Sequence, residues 1–409
     1  MGVYIQLEIM PDYISSEEWA LVYLESLELL NSYPGKMMGK VLKQIGSIKE
    51  MLVYSRTLEH ETEDPENRHW FVVGDFASQE RGESFTMYYD LSHYGKRQPQ
   101  KQAEDILFQV FEDKVRIPYV FSEKTQGCPY HIPVLAVSML IESRFPKYAL
   151  VGGDINLAQA EQARAWAQTV LKHEISLPIK VQGKALYQRL ARFYQGKALI
   201  EAFTSLFLGS SQEEYETIFE LGDKAVIKEW FLQELKDYTS PDQIGATGLF
   251  INWLNATGDL KTLAEMACLD EEGPKFDPGK FASALPSTWV TIDQHNFDFF
   301  DALSPGDIDT PDIQFGRAFL DLGFKGREIR CHISPDTVIS VLSDLFPEHS
   351  AQIEQNIQSR ADKIKKTLTE MKEPTRKFIQ KLESEPQKEG IDDLIFYNPQ
   401  RPLSDLQQL

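Results

Sequence analysis

The first part of the chain alternates between two periods of hydrophobic residues. Residues 2–9, GVYIQLEI, place an apolar side chain at nearly every second position, which is the period of a half-buried strand. Ser15-Ser16-Glu17-Glu18 then resembles a helix cap and first turn, and apolar residues recur at helical spacing through Leu29-Leu30. Because strand and helix patterns keep alternating, we predict a mixed α/β sheet domain over residues 1–183.

The remaining elements of this domain follow from the same periods. IPVLAVSMLI, residues 132–141, is too short to span a bilayer and predicts a buried core helix. Strands are predicted in MLVYSRTLEH (51–60), HWFVVGDF (69–76), KVRIPYVF (114–121), YALVGGDI (148–155) and SLPIKV (176–181), and further helices in ESFTMYYDL (83–91) and over 157–171.

Two turns in the domain have similar sequences. FVVGDFASQERGESF and ALVGGDINLAQAEQA align on Gly74-Asp75 and Gly153-Asp154. They fit a duplicated strand-turn-helix unit, although such junctions are also common by chance. The second turn lacks the third glycine of a dinucleotide-binding loop, so we interpret it as a strand-to-helix junction with Asn156 as the helix cap.

Beyond residue 183 the pattern becomes helical. Over residues 184–285, apolar residues recur three or four positions apart, as at Leu186 and Leu190, which predicts a helical domain or insertion. Residues 286–348 predict an acidic loop and a short α/β segment, and 349–409 a long amphipathic helix with a polar tail. The whole pattern is that of an α+β protein.

The C-terminal helix carries an apolar seam with heptad spacing. Its candidate binding residues are Ile357, Ile364, Leu368, Met371, Phe378 and Leu382, with Ala361 and Thr375 completing the seam. The seam either packs on the protein's own body or contacts a second chain, as a homo-oligomer or with another protein. Pro374 should kink or restart the helix near Lys372-Glu373, because proline removes a backbone donor.

Charge and composition narrow the classes of function. The formal net charge is −20, which repels phosphate backbones and anionic membranes, and the basic stretches noticed are short ones such as KIKK at 363–366. We therefore expect neither a nucleic-acid partner nor a membrane. The three cysteines are far apart, and no secretory signal is visible, so we expect a cytoplasmic protein.

The strongest candidate for catalysis lies in TQGCPYHIPV, residues 125–134. Cys128 precedes His131 by three residues at the predicted start of the core helix, where a thiolate would be stabilised by the helix dipole. Asp75 and Asp154, at strand ends, complete a candidate hydrolase site that could hold a metal. The alternative is a small buried cysteine and a capping or core histidine.

A second group of polar residues lies in DQHNFDFFD, residues 293–301. Asp293, His295 and Asp298 are the residue types that bind divalent metals, but their spacing is not that of a calcium loop. We interpret the segment as a solvated acidic loop. No cofactor is predicted.

These observations favour a non-catalytic protein that binds another protein through its acidic surface, as a regulatory, immunity-type or defence-associated factor. The first alternative is the hydrolase around Cys128, His131, Asp75 and Asp154. The second alternative is a sensor of a small ligand, which would be stabilised when the ligand binds.

Overall fold

The computed structural model describes residues 3–45, 49–60, 67–95, 105–112, 117–299 and 325–384. They form two compact units: the first contains the described residues up to Gly209, and the second begins at Ser210. The strands are β1 (Tyr4–Ile9), β2 (Met37–Ile45), β3 (Lys49–Ser55), β4 (Glu59–His60), β5 (His69–Asp75), β6 (Arg81–Tyr88), β7 (Tyr119–Lys124) and β8 (Ala149–Gly153). All of them belong to the first unit.

The helices confirm the predicted α+β class, with N-terminal sheets and a long C-terminal helix. The first unit contains α1 (Ser16–Ser32), α2 (Ile106–Glu112), α3 (His131–Arg144), α4 (Leu157–Val170), α5 (Gly183–Leu190) and α6 (Gly196–Leu206). The second contains α7 (Ser211–Leu221), α8 (Lys224–Lys236), α9 (Ile244–Thr257), α10 (Leu260–Ala264), α11 (Pro278–Ala284), α12 (Pro335–Leu345) and α13 (Ser350–Ser384). None of the described helices is long and apolar enough to cross a membrane.

A three-stranded antiparallel sheet forms the centre of the first unit, in the order β7-β1-β8. The period-2 pattern of β1 sends Ile5 and Leu7 into the core, where they are fully buried. Helix α3 packs on this apolar side, and all of its residues from His131 to Glu142 are buried, as predicted for a core helix. Gln6 and Glu8 lie on the opposite, polar side of β1.

The other sheet has the order β3-β2-β5-β4, and β6 pairs with β5 outside this order. Only Met37 and Met38 of β2 pair with β5; from Gly39 onward β2 pairs with β3 alone. The β2–β3 hairpin therefore continues past the part of β2 that is paired with β5. β3 lies at an edge of the described sheet.

Two of the predicted local structures are wrong. The segment predicted as a helix over 83–91 forms most of β6, because Phe85 and Met87 alternate into the core and pair with β5. The segment predicted as a strand over 176–181 ends in a short 3-10 turn, Ile179–Val181, which follows Pro178. Phe85, Met87 and Val181 are buried, but the backbone that buries them differs from the one predicted.

The predicted duplication is also wrong, because the two similar turns have different structures. Gly153-Asp154 leads from β8 into α4, whereas Gly74-Asp75 ends β5 and leads into strand β6. Gly153 has a φ of +101°, which favours glycine. At Gly74 a Cβ would lie 2.1 Å from the Glu80 carbonyl oxygen, so glycine is needed there for close chain packing.

The second unit is helical around an aromatic core. Trp253 of α9 lies between Phe219 of α7 and Phe231 of α8, with ring centroids 5.2 and 4.7 Å away. Further along, the short α/β segment predicted within residues 286–348 has no strand over residues 329–334: Ile333 makes a backbone bond to Val290. The acidic stretch between residues 300 and 324 lies outside the described residues.

The first half of the apolar seam on helix α13 packs against other helices of the second unit. Ile357 and Leu368 are buried, and α13 packs against α11 and α12. At these two residues the seam packs on the protein's own body, which is the first of the two possibilities that the sequence left open. Ile364 and Met371 are partly buried. The side chains of Phe378 and Leu382 lie outside the described set.

Pro374 does not end the helix. α13 runs from Ser350 to Ser384 and includes Pro374, where a restart was predicted. A proline at this position removes the backbone donor that would bond the carbonyl of Glu370. Glu370 and Pro374 are both exposed, so water can supply the missing donor.

The buried half of the seam should stabilise the second unit. We expect Ile357→Ala to lower the free energy of unfolding by roughly 2–5 kcal/mol, because it leaves a cavity under α13. Met371→Ala, on the same seam but only partly buried, should cost less than about 1 kcal/mol. Denaturant unfolding of both variants checks this; equal losses would contradict the difference in packing.

Candidate functional site

The turn between β7 and α3 contains two of the predicted catalytic residues. Gln126 and Gly127 both have positive φ, and the Cys128 amide donates to the Thr125 carbonyl. This tight turn places His131 at the first position of α3, where its amide donates to the Cys128 carbonyl over 2.9 Å. Among the hydrogen bonds of the described residues, that backbone bond is what joins the two.

The Cys128 thiol is poorly suited to act as a nucleophile. Its side chain is buried, and burial raises the pKa of Cys128 to about 11, with Glu80 and Asp75 adding negative charge nearby. A catalytic cysteine needs the opposite, an electropositive setting that stabilises the thiolate. The sequence-based alternative, a small buried cysteine, fits these surroundings better.

His131 is a neutral core histidine. The Thr125 hydroxyl oxygen lies 2.8 Å from His131 Nδ1 and 3.2 Å from the Val3 carbonyl oxygen, so Nδ1 is hydrogen-bonded within its own turn. Nε2 is buried and has no hydrogen-bond partner within the described part of the chain. Burial lowers the pKa of His131 to about 4, although Asp154 opposes the shift.

Asp75 and Asp154 each bind backbone close to their own turn. Asp75 is fully buried and accepts hydrogen bonds from the amide and hydroxyl of Ser78; burial raises its pKa. Asp154 is exposed and accepts from the Tyr4 amide over 2.9 Å, extending the pairing of β1 with β8. The two carboxylates belong to different sheets, and neither hydrogen-bonds to the other.

The predicted metal residues lie on the surface of the second unit. The Asp293 carboxylate accepts the His295 amide and lies 2.8 Å from His295 Nε2, while Asp298 is exposed. No group of three or more histidine, cysteine, aspartate or glutamate side chains suited to a metal ion occurs in the described ranges.

The structure reveals a buried charged group that the sequence analysis missed. Glu142, at the end of α3, accepts the amides of Val151 and Ile179, each over 2.7 Å. Burial raises the pKa of Glu142 to about 7, against these amides and the nearby Arg189 and Lys180. The one signal in the sequence is that Glu142 directly follows the apolar run of the core helix.

Lys180 and Glu8 extend this group over the polar side of the sheet. Burial lowers the pKa of Lys180 and raises that of Glu8, while each side chain partly offsets the shift of the other. Gly152 of β8 leaves room for the amine, since a Cβ there would lie 3.2 Å from Lys180 Nζ. These residues are far apart in sequence, so no local motif marks them.

Helix α1 has a different character, because it exposes apolar side chains among carboxylates. Leu21 and Leu24 are 63% and 46% exposed, and Glu17 and Glu28 continue the same helical stripe. The helix carries four glutamates and no lysine or arginine. Its other side is buried through Trp19, Val22, Tyr23, Ser26, Leu29 and Leu30.

The fold and these side chains define an α+β protein in which the candidate residues Cys128, His131 and Asp75 lie in or beside turns and are buried. Comparison of the chain with protein-family models, with curated proteins and with solved structures finds no match. The functional interpretation therefore rests on the geometry alone.

The pKa of His131 predicts a pH dependence of stability. The unfolded histidine binds a proton near pH 6.5 and the folded one only near 4, so stability should fall as pH drops through this window, by roughly 3 kcal/mol in all. His131→Asn should remove this loss, seen as a flatter dependence of the unfolding free energy on pH. His295→Asn, at an 83% exposed side chain, is the control; equal slopes in wild type and His131→Asn would refute the prediction.

The environment of Cys128 predicts slow alkylation. At neutral pH the folded protein should react with iodoacetamide at Cys128 at least about 100-fold more slowly than the denatured chain, because little thiolate is present. Mass spectrometry of the labelled peptides measures each cysteine separately, with the partly exposed Cys331 as internal comparison. Rapid labelling of Cys128 would instead support the hydrolase alternative.

Proposed function

We propose that this protein is a non-catalytic factor that binds another protein through an acidic surface on helix α1, in a regulatory, immunity-type or defence-associated role. The observation that supports this proposal is the exposed pair Leu21 and Leu24, bordered by Glu17 and Glu28. A partner that covers both leucines gains about 1–2 kcal/mol for each, because burying a fully exposed leucine contributes about 1.5–3 kcal/mol and these two are already partly covered.

We call Glu17, Leu21, Leu24 and Glu28 the α1 stripe, and its residue types indicate what surface a partner needs. Leucines three residues apart on one helix face match an apolar groove that accepts a helix. The flanking glutamates call for lysine or arginine at the rim of that groove, where charge complementarity speeds association and excludes wrong partners. The partner we propose is therefore a protein with an apolar groove and a basic rim.

The hydrolase alternative has less support from the same residues. Its nucleophile would be a thiol whose pKa is raised to about 11 and its base an imidazole whose pKa is lowered to about 4. Both shifts oppose the proton transfer that a cysteine and histidine pair performs. Asp75 and Asp154 accept backbone hydrogen bonds from Ser78 in the turn after β5 and from Tyr4 in β1.

Removing the two leucines should abolish partner binding while leaving the fold intact. We expect the double variant Leu21→Ser and Leu24→Ser to lose a protein that co-purifies with the wild type from the native cell. The matched control is Ile244→Ser with Leu269→Ser, because these second-unit side chains are 64% and 51% exposed. Quantitative mass spectrometry of the co-purified proteins provides the measurement.

The experiment has to distinguish specific binding through Leu21 and Leu24 from non-specific hydrophobic association. Binding should also weaken as salt is raised, because the glutamates at the rim are screened. If both double variants retain the same proteins, or the wild type retains none above background, the proposal is wrong. Unchanged thermal unfolding of both variants shows that each remains folded.

A further inference from the structure

A group of cations surrounds one exposed tyrosine on the β2–β3 hairpin. Lys40 and Tyr54 are directly opposite each other across the two strands, with Lys40 Nζ 5.7 Å from the ring centroid. The guanidinium of Arg81, at the start of β6, lies 4.9 Å from the same ring. Tyr54 is nevertheless 45% exposed, so two cations and an aromatic face are presented together to solvent.

Arg56 adds a third cation just beyond the end of β3. Its guanidinium lies 5.8 Å from the ring of Phe76, whose amide donates to the Lys36 carbonyl next to β2. We call Lys40, Tyr54, Arg56 and Arg81 the cationic patch. Arg56 and Arg81 are exposed, and Lys40 is partly buried.

The cations of the patch have no ion-pair partner among the described carboxylates. Three other arginines of the same unit do have one: Arg68 binds Glu59, Arg144 binds Glu25 and Arg189 binds Asp105. The sequence around the patch also has an excess of basic residues. In a chain with a net charge of −20, residues 36–56 carry Lys36, Lys40, Lys43, Lys49 and Arg56 against the single acidic residue Glu50.

We propose that the cationic patch binds an extended acidic segment of a partner protein, which lies along the edge of β3. β3 pairs with β2 on one side only within the described sheet, so its other edge has backbone groups that an added strand can pair with. Alternate side chains of an added strand face the same side of the sheet. Carboxylates at every second position would then meet the cations around Tyr54.

Charge complementarity favours an acidic segment over nucleic acid. The patch offers three described cations, enough for a few carboxylates but few for a phosphate backbone, which gains affinity with each phosphate it neutralises. A nucleic acid would also extend past the patch over a protein of net charge −20. A short peptide can keep its charges on the patch. This surface is distinct from the α1 stripe, so the proposal does not rest on the function proposed above.

The test uses a fluorescent peptide in which glutamate alternates with threonine, bound to the full chain and followed by anisotropy. The variants below decide whether binding occurs at the patch or at another basic surface. We expect saturable binding, weakened about tenfold or more by Lys40→Glu with Arg81→Glu, because two favourable charge contacts become repulsive. The neutral pair Lys40→Gln with Arg81→Gln should weaken it less, in the same direction.

The matched control makes the same charge change elsewhere in the first unit. Lys172→Glu with Arg192→Glu replaces two exposed cations and should leave peptide binding within about twofold of wild type. The Leu21→Ser and Leu24→Ser variant should also bind the peptide normally, which separates failure of this proposal from failure of the one for α1.

Four results would overturn the proposal. The first is that the peptide does not bind, and the second is that the control pair loses as much affinity as the patch pair. The third is that a single-stranded oligonucleotide of equal charge binds more tightly than the peptide and depends on the patch, which would make the patch a nucleic-acid site. The fourth is self-association, seen by light scattering, that Lys40→Glu with Arg81→Glu abolishes, since the patch would then meet a second copy of this chain.

Discussion

The carboxylate of Glu142 connects the main elements of the first unit. Its two oxygens accept the amides of Val151 in β8 and Ile179 in the segment after α4, so the end of the core helix is tied to the sheet and to a distant loop. A buried carboxylate is costly without partners, and two short backbone bonds with nearby cations offset that cost. Removing the carboxylate would leave two buried amides without acceptors.

The charges around Glu142 form a chain of interactions through the unit. Arg189, close enough to lower the pKa of Glu142, binds both oxygens of Asp105 at the start of α2. On the other side Lys180 faces both Glu142 and Glu8 of β1. This arrangement explains why ionisable groups with shifted pKa values occur here without a catalytic pair: structural networks shift pKa values as active sites do.

Sequence patterns predicted the elements whose signal is local. The strand of β1, helix α3 and the cap of α4 have their cues within a few residues, and Asn156 does form the capping box with Gln159. β2 and β6 were missed because their stability comes from long-range pairing. Polar and apolar residues alternate over residues 84–87, but this short run fits a helix or a strand equally well. Only its pairing with β5 makes it a strand.

The candidate sites show the same limit. The proximity of Cys128 and His131 in sequence made them a candidate pair, with a buried cysteine and a core histidine as the alternative, but reactivity depends on what surrounds the thiol and the imidazole. Burial raises the pKa of Cys128 and lowers that of His131, and spacing along the chain cannot show either shift. Glu8, Glu142 and Lys180 are brought together by the sheet, so spacing along the chain holds no sign of them.

Net charge alone does not describe the surface that a partner would contact. Charges more than about 8 Å apart are largely screened at physiological ionic strength, so a partner responds to the charges near its contact and not to the total. The net charge of −20 includes both helix α1, which has no basic residue, and the cationic patch, whose cations have no ion-pair partner among the described carboxylates. Because the two surfaces carry opposite charge, the two proposals call for partners of opposite character, which would bind at different places on the first unit.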